Sequence, residues 1–598
     1  MSYADHNIPN GADQFISSVF GAGGTVSVIA FTPTGGWVGV AANGQYAAQG
    51  IPQDCFVALG NFINNGLTVR SIAFPPAGGG WVIVADQNYQ ASGIPDDCFK
   101  MIGTFHNNGW PITCVAFPPS GGNSWAIVGP NSFYTSNIDD ECFQFLNNYM
   151  QGADRATQVT FTPSGGWIVY GGLFFSARNI DNGCFQQMIS FANAGWRIGH
   201  VAFTAGGGYS IVCNAKKPAG ADNPMRGFES YFFQDAAAQW HSIWDRMKHY
   251  GVPGASMALV ANNAVAWRGS YGVLRAGQPN YVYPDTAFQA ASISKPHAAV
   301  GILRLVQEGT GNVQLTDPIA NHTSWKVATR PCAPSAWAQA ATVQLTLQHK
   351  GGFVGRGNTY PQNVCSNFTG DGGGFGGYPA GSSIPTLDQI LAGAPPANSP
   401  KIEITTKPGM FFYSGMGFMV LMRMLQDVTG QDFRTWMQQH VLGPAGMTQS
   451  TFTISLPPQL ARAAAGHDAG TGQPIPGLRN QYPEAPAAGL YTNAGDLGRF
   501  IVMLNQAGAI EGQQVISSQL AQAMLAQQLG IFTVGQPTDN GFFYTHNGEN
   551  YGFTSLIQGY PNLHAGFAIM LNLDDGKKNA SNFYNEAASA LKRIYGLP

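Results

Sequence analysis

Three stretches of this chain carry residue types that could do chemistry together. In "AASISKPHAAVGILRLVQEG", Ser292 stands three residues before Lys295 at the opening of an apolar-faced helix. Positions i and i+3 share a helix face, so the two side chains can meet. Burial disfavours a charged ammonium, and the positive end of the helix dipole favours an alkoxide. A neutral lysine so placed can take the proton of a serine hydroxyl, which is a weak nucleophile until activated. The same serine also suits a helix N-cap, and a bare Ser-x-x-Lys is frequent by chance. "KPGMFFYSGMGFMV" sets Tyr413 after a Pro-Gly turn and before an apolar helix, and "YTHNGENYGF" sets His546 ahead of a late strand pair. Taken singly, Tyr413 reads as a core aromatic and His546 as a turn residue. Taken with Ser292 and Lys295 they add a phenol and an imidazole that can hold or move protons. His349, in "LQHKGG", is expected to be structural. No GxSxG elbow, HExxH, phosphate loop or dinucleotide fingerprint competes, and no metal or cofactor is called for.

The elements that must position these residues can be read around them. Asp235–Tyr250 reads as an amphipathic helix, and "ASMALVANNAVAWRGSYGV" as a hairpin turning at Asn262-Asn263. "GFTSLIQGYPNLHAGFAIMLN" is another strand pair, followed by a terminal helix from about Asn582 to Tyr595. Strands at both ends and helices between predict an antiparallel sheet built from the two ends, with a helical lobe inserted: an α+β domain.

The first third is different. "IAFTPTGGWVGV", "IAFPPAGGGWVIV", "VAFPPSGGNSWAIV", "VTFTPSGGWIVY" and "VAFTAGGGYSIV" repeat one pattern, with Trp37, Trp81, Trp125, Trp167 and Tyr209 spaced 44, 44, 42 and 42 residues apart. Each reads as a β-hairpin followed by a short strand and a helix, with Pro52 at the first helical position of "GIPQDCF". Cys55, Cys98, Cys142 and Cys184 begin an apolar helix face in successive units and read as small buried residues, not metal ligands. The chain opens on the third strand and helix of a unit, while the last hairpin lacks a third strand. This predicts five ββ(β)α units in a closed, propeller-like disc that borrows its first strand, with an open solenoid as the alternative. The repeated aromatics are expected in the core.

In order and spacing the chemical residues resemble the three motifs of the β-lactamase-like serine hydrolases: SxxK, a YxN-type tyrosine, and KTG or HxG. "GVPGASMALV", "LTLQHKGGF", "VLGPAGMTQSTF" and "PAAGLYTNAGDLGRFIVML" are similar to further family segments. The resemblance runs from about residue 236 to the C-terminus. The group includes class C β-lactamases, DD-peptidases, D-aminopeptidases and family VIII carboxylesterases. It implies that Ser292 is the acylated nucleophile and Lys295 its base. It implies that Tyr413 relays a proton to the leaving group and that His546 orients Tyr413 or the substrate. Gly548 would leave room for substrate along the strand, and the N–H groups of Ser292 and Glu549 would form the oxyanion hole. Departures are instructive. Gly415 stands where relatives usually carry an asparagine that contacts the acyl amide. HNG replaces KTG, and a histidine of ordinary pKa, about 6.5, loses its charge in neutral solution. Both lean from β-lactamase towards esterase, with a D-amino-acid peptidase or amidase as the alternative.

These readings give a repeat domain over 1–213, a linker over 214–227 and a hydrolase domain over 228–598. A different class of function, a non-catalytic binding protein with the repeat disc as its working part, is disfavoured by the intact Ser, Lys and Tyr. The expected partner is a small-molecule or peptide-like acyl substrate, and the disc is a candidate for contact with a glycan or polymer. Only 10% of residues are charged and the net charge is -3 with no basic run, which argues against nucleic acid. No apolar run reaches the length of a membrane span. The first residues have neither the basic nor the apolar region of a signal peptide, so the compartment stays open: secreted or periplasmic if one was removed, otherwise cytoplasmic. Cys332 and Cys365 are a candidate disulfide in a Gly- and aromatic-rich segment, 351–383, expected at the mouth of the site.

Overall fold

In a computed structural model of the chain, the described residues are 2–150, 155–171, 174–216, 233–235, 239–330, 333–353, 374–460 and 462–598. They form two compact units, Met1–Ile243 and Trp244–Pro598. Cys332, Cys365 and most of the segment 351–383 lie outside the described residues.

The first unit holds five three-stranded antiparallel sheets. Four are continuous in sequence; the first, for example, is Val26–Phe31, Trp37–Ala41 and Tyr46–Gln49. The fifth takes two strands from Trp196–Phe203 and Tyr209–Lys216 and its third from the chain start, with Ser2–His6 pairing antiparallel from Ser2↔Cys213 to His6↔Tyr209. The borrowed strand read from the repeat's phase is therefore present. The hairpin turn is built the same way in different units: Gly36 N–H donates to Thr32 Oγ1 at 2.8 Å, and Gly166 N–H to Thr162 Oγ1 at 2.8 Å. The preceding glycine in each turn, Gly35 or Gly165, has φ near 90°, which a side chain would resist.

Four of the sheets are followed by a helix whose cysteine face turns inward; the helix Asn10–Gly21, after the borrowed strand, has buried Ala12 at that place. Cys55, Cys98, Cys142 and Cys184 are fully buried free thiols, and burial pushes three of them, Cys55, Cys98 and Cys184, up to about 12. Pro52 sits one residue earlier than expected, as the cap before the helix Gln53–Asn64, with φ of -54° and ψ of 137°. Pro9 and Pro95 do the same, while Asp139 and Asp181 occupy that position in the later units and cap with their side chains. Trp37, Trp81, Trp125, Trp167 and Tyr209 are all buried core residues.

The second unit centres on a six-stranded antiparallel sheet in the order 264–272, 254–261, 565–571, 553–560, 543–550, 532–534. Both chain ends of the unit feed it, as read from sequence. Asn262 and Asn263 turn the first hairpin with φ of 51° and 55°, the left-handed pair that matches strand twist. The expected helix from Asp235 is shorter: Phe233-Gln234 pairs with Trp240-His241, and the helix spans Ile243–Tyr250. Asp235 accounts for the difference, because its Oδ1 accepts Gln239 N–H and its Oδ2 lies 2.9 Å from His241 Nε2, contacts that compete with a helix beginning at Asp235. Arg246 then anchors the helix to Glu586 of the terminal helix Asn579–Tyr595, at 2.7 and 2.8 Å. Among the described residues no helix is long and apolar enough to cross a membrane. The strand Tyr209–Lys216 runs three residues into the stretch read as linker.

Deleting residues 1–8 is expected to strip the fifth sheet of its third strand. The exposed edge of Tyr209–Lys216 should promote association. Losing several backbone hydrogen bonds, each worth about 1 kcal/mol, should lower the melting temperature by roughly 10 °C. Differential scanning calorimetry and size-exclusion chromatography measure both; an unchanged, monodisperse product would show that the strand contributes nothing.

Candidate active site

Ser292 lies in a one-turn 3-10 helix, Ala291–Ile293, that leads into the helix Ser294–Glu308. Ala291 takes a left-handed backbone, φ 50°, which costs an alanine roughly 1–2 kcal/mol and must be held by its surroundings. The surroundings are a buried polar network. Ser555 Oγ donates to Ala290 O at 2.8 Å, and Ala290 N–H donates to Leu490 O at 2.9 Å. Gln289 donates to Asn480 O and Tyr491 Oη and accepts from Asn550 Nδ2 at 3.0 Å. Ser294 Oγ accepts Leu490 N–H at 3.0 Å. Pro296 falls in the first helical turn, where its missing N–H removes no helical bond. Ser292 itself remains partly exposed, while Lys295 is buried.

Lys295 Nζ lies 2.9 Å from Ser292 Oγ and 2.8 Å from Ala487 O. It also stands 5.0 Å from the Tyr413 ring centre and 6.0 Å from that of Phe418. Among the described residues no carboxylate lies within ion-pairing distance of it. The structure thus brings Ser292, Lys295 and Tyr413 together. Tyr413 is held by His349, whose ring centre is 4.5 Å away. The backbone carbonyl of His349 accepts Phe412 N–H at 2.9 Å, and its Nδ1 accepts Ser414 N–H at 3.1 Å. His349 clamps the tyrosine loop from both sides of Tyr413.

His546 lies on the strand Phe543–Asn550, with its ring centre 6.1 Å from that of Tyr413 and stacked on Phe532 at 5.3 Å. It differs from expectation in its ionisation. Burial first, and then the charge of Lys295, lowers it to about 3, so the ring is neutral throughout the neutral range rather than titrating near 6.5. His349 is driven well below its ordinary value by the same two causes. Gly548 also has a different setting. A Cβ there would stand 2.3 Å from Ala290 O and 3.0 Å from Ser292 N, so the space it leaves is filled by the serine turn and not by open cleft. This close approach sets Ser292 N beside the strand that carries Glu549. At Gly415, the cap of the helix Met416–Thr429, a Cβ would lie 2.9 Å from Phe375 Cε2. The aromatic ring occupies the place of the missing side chain. A groove of about 630 Å³ adjoins, lined by Gln348, Lys350, Phe411, Gln527, Gln528 and Phe532. Among the described residues no cluster of His, Cys, Asp and Glu could hold a metal ion.

Sequence reasoning missed Gln289, Ser555, Phe375 and the contact to Ala487 O. Asn550 was within reach: it follows His546 and Gly548 at a spacing of two, on the inward face of one strand.

The chain belongs to the Beta-lactamase family, serine hydrolases of β-lactamase and penicillin-binding-protein type, whose family profile matches residues 242–591. The human protein beta-lactamase-like 1 is 24% identical over 361 residues, covering 57% of this chain and 66% of that one. Penicillin-binding protein 4 of Amycolatopsis lactamdurans is 25% identical over 302 residues, covering 49% of this chain and 70% of that one. The chain thus spans about two thirds of the length of these relatives. Among solved structures, the octameric penicillin-binding protein homologue from Pyrococcus abyssi is 20% identical with a TM-score of 0.46, covering 59% of this chain and 76% of that one.

The buried neutral histidine makes a pH prediction. Unfolded, His546 binds a proton below about pH 6.5; folded, it does so only near pH 3. Its contribution to stability is therefore intact above pH 6.5 and is lost as the pH falls towards 3. His546→Leu removes that loss, so from pH 7.5 to 4.5 the variant should gain about 2–3 kcal/mol relative to wild type. Urea unfolding at the two pH values measures the difference; a pH-independent difference would mean that His546 titrates normally in the folded protein.

Proposed function

We propose that this protein hydrolyses uncharged carboxylic esters through an acyl-enzyme on Ser292. The observation that carries the reading is Lys295 Nζ held between Ser292 Oγ and Ala487 O. Once it has lost its extra proton, the amine gives one N–H to Ala487 O and keeps its lone pair for the serine proton. Ser292 Oγ then bonds to the acyl carbon, and the carbonyl electrons move to its oxygen. The N–H groups of Ser292 and Glu549 face that oxyanion in this reading. When the tetrahedral carbon collapses, the bond to the leaving oxygen breaks; Tyr413 gives that oxygen its proton and takes in exchange the one Lys295 received from Ser292, which frees the amine again. Water repeats the sequence on the acyl-enzyme, releasing the acid and restoring Ser292.

Two features support ester over β-lactam. Phe375 fills the place at Gly415 where an asparagine would contact an acyl amide, presenting a face with no hydrogen-bonding group. His546 is neutral and buried, so it offers a substrate carboxylate no positive charge. Lys350 in the adjoining groove favours a second reading, cleavage of D-amino-acid amides or peptides whose carboxylate reaches that cation. For the first unit, we propose that the five sheets close into a propeller-like disc. Support comes from the borrowed strand, from His200 Nε2 lying 2.7 Å from Ile29 O between the last and first hairpins, and from Asn214 Nδ2 donating to Val26 O.

A panel of nitrophenyl esters, D-aminoacyl anilides and a chromogenic cephalosporin tests the reaction. Nitrophenyl esters should turn over, penicillins and cephalosporins poorly. Efficient cephalosporin hydrolysis without comparable ester hydrolysis would overturn the ester reading. Ser292→Ala should lower kcat by at least about a thousandfold with the fold intact, and Lys295→Arg should not restore a base because guanidinium stays protonated. Phe375→Ala should lower kcat/KM for aromatic esters by roughly tenfold, the scale of one lost apolar contact in a substrate pocket. Steady-state kinetics on the three purified variants provide the check.

A further inference from the structure

Every unit of the repeat places a phenylalanine at the end of its first strand or one residue beyond: Phe31, Phe74, Phe117, Phe161 and Phe203. All five are half-buried and line a single cavity of about 240 Å³. The buried aromatic of the core changes once, from Trp to Tyr209, and the residues flanking the phenylalanines alternate between Thr and Pro, or Ala and Thr. A half-exposed position is normally the least constrained by folding. Here all five copies agree, as they do at the two turn glycines four and five residues on, and besides the core packing of four of the rings all five line the cavity.

The lining is electrically neutral. It contains no Asp, Glu, Lys or Arg, and burial lowers its one histidine, His200, to about 4. Four polar side chains of the wall are bonded to neighbouring strands. Ser71 Oγ accepts Val115 N–H at 3.0 Å, and Cys114 Sγ donates to Val159 O at 3.3 Å. Gln158 Nε2 donates to Thr113 O at 3.0 Å, and His200 Nε2 to Ile29 O at 2.7 Å. The exposed lining is divided about evenly between apolar and polar surface, so a ligand meets aromatic rings with uncharged polar groups between them. The volume is below the roughly 300–1,000 Å³ of a pocket for a drug-sized molecule, which limits the occupant to about one ring system.

We propose that this cavity is a binding site for a small uncharged aromatic molecule, of about the size of indole, held among the five phenylalanines by stacked and edge contacts. It belongs to the repeat unit, and it does not depend on the reaction proposed at Ser292.

Isothermal titration of the full-length protein with indole tests it. A single saturable site with Kd on the order of 100 µM is expected for a ligand of this size. Thr160→Phe, which fills the cavity, should raise Kd at least tenfold with circular dichroism and melting temperature unchanged. If that variant does not fold, Phe117→Leu combined with Phe203→Leu should weaken binding in the same sense. Benzoate, a charged ring of similar size, should bind at least tenfold more weakly than indole. Phe411→Ala, which alters the groove beside Tyr413, should leave Kd unchanged. Absence of saturable binding up to 5 mM indole, an unchanged Kd in the cavity variants, or loss of binding in Phe411→Ala would overturn the proposal.

Discussion

The second unit is organised around one constraint: an amine and a serine hydroxyl must be kept 2.9 Å apart in a region largely closed to water. A lysine side chain is long and mobile, so contact at that distance needs both ends fixed. Helix packing fixes one end, since nearly every residue from Ser294 to Leu305 is buried. Ala487 O fixes the other by accepting from Nζ at 2.8 Å. The serine is fixed differently, by a left-handed Ala291 that the bonds from Ser555, Leu490 and Gln289 hold in place. Backbone strain persists where surrounding contacts over-determine it, and this turn is such a place.

Around that pair the site is aromatic and neutral. Tyr413, Phe418, Phe532 and the rings of His349 and His546 surround the lysine, and both imidazoles are uncharged because burial and the nearby ammonium each oppose a second positive charge. With no carboxylate among the described residues to pair with it, Lys295 is left to exchange its proton with Ser292. The first unit solves an unrelated problem with a repeated local device. A Thr hydroxyl accepting the N–H of a glycine four residues on closes a hairpin, and a buried cysteine starts the following helix face. Repetition makes the unit's geometry insensitive to exchanges such as Trp to Tyr209.

Much of this was legible in the amino-acid sequence because it rests on short-range rules. Ser292 and Lys295 meet because i and i+3 share a helix face, and Asn262-Asn263 turns because asparagine tolerates positive φ. The repeat was visible as a period of 42 to 44 residues, and its phase revealed that the chain start completes the last sheet. The helix read from Asp235 was lost to a side-chain contact with Gln239 and His241, a local competition that periodicity does not report.

What only the tertiary structure decided depends on partners distant in sequence. Ala487 O reaches Lys295 across 192 residues through a backbone atom, which no side-chain pattern encodes. Phe375 fills the vacancy at Gly415 from a loop forty residues earlier, so the sequence showed the missing asparagine but not its replacement. Gly548 was recognisable as a glycine of the motif, yet the group occupying its space, the Ala290–Ser292 turn, comes from the other end of the unit. The ionisation of His546 follows from its burial and from the proximity of Lys295, quantities that exist only once strand and helix are packed. The sequence determines residue types and their local spacing; desolvation, and the field of distant charges, arise only when the chain is folded.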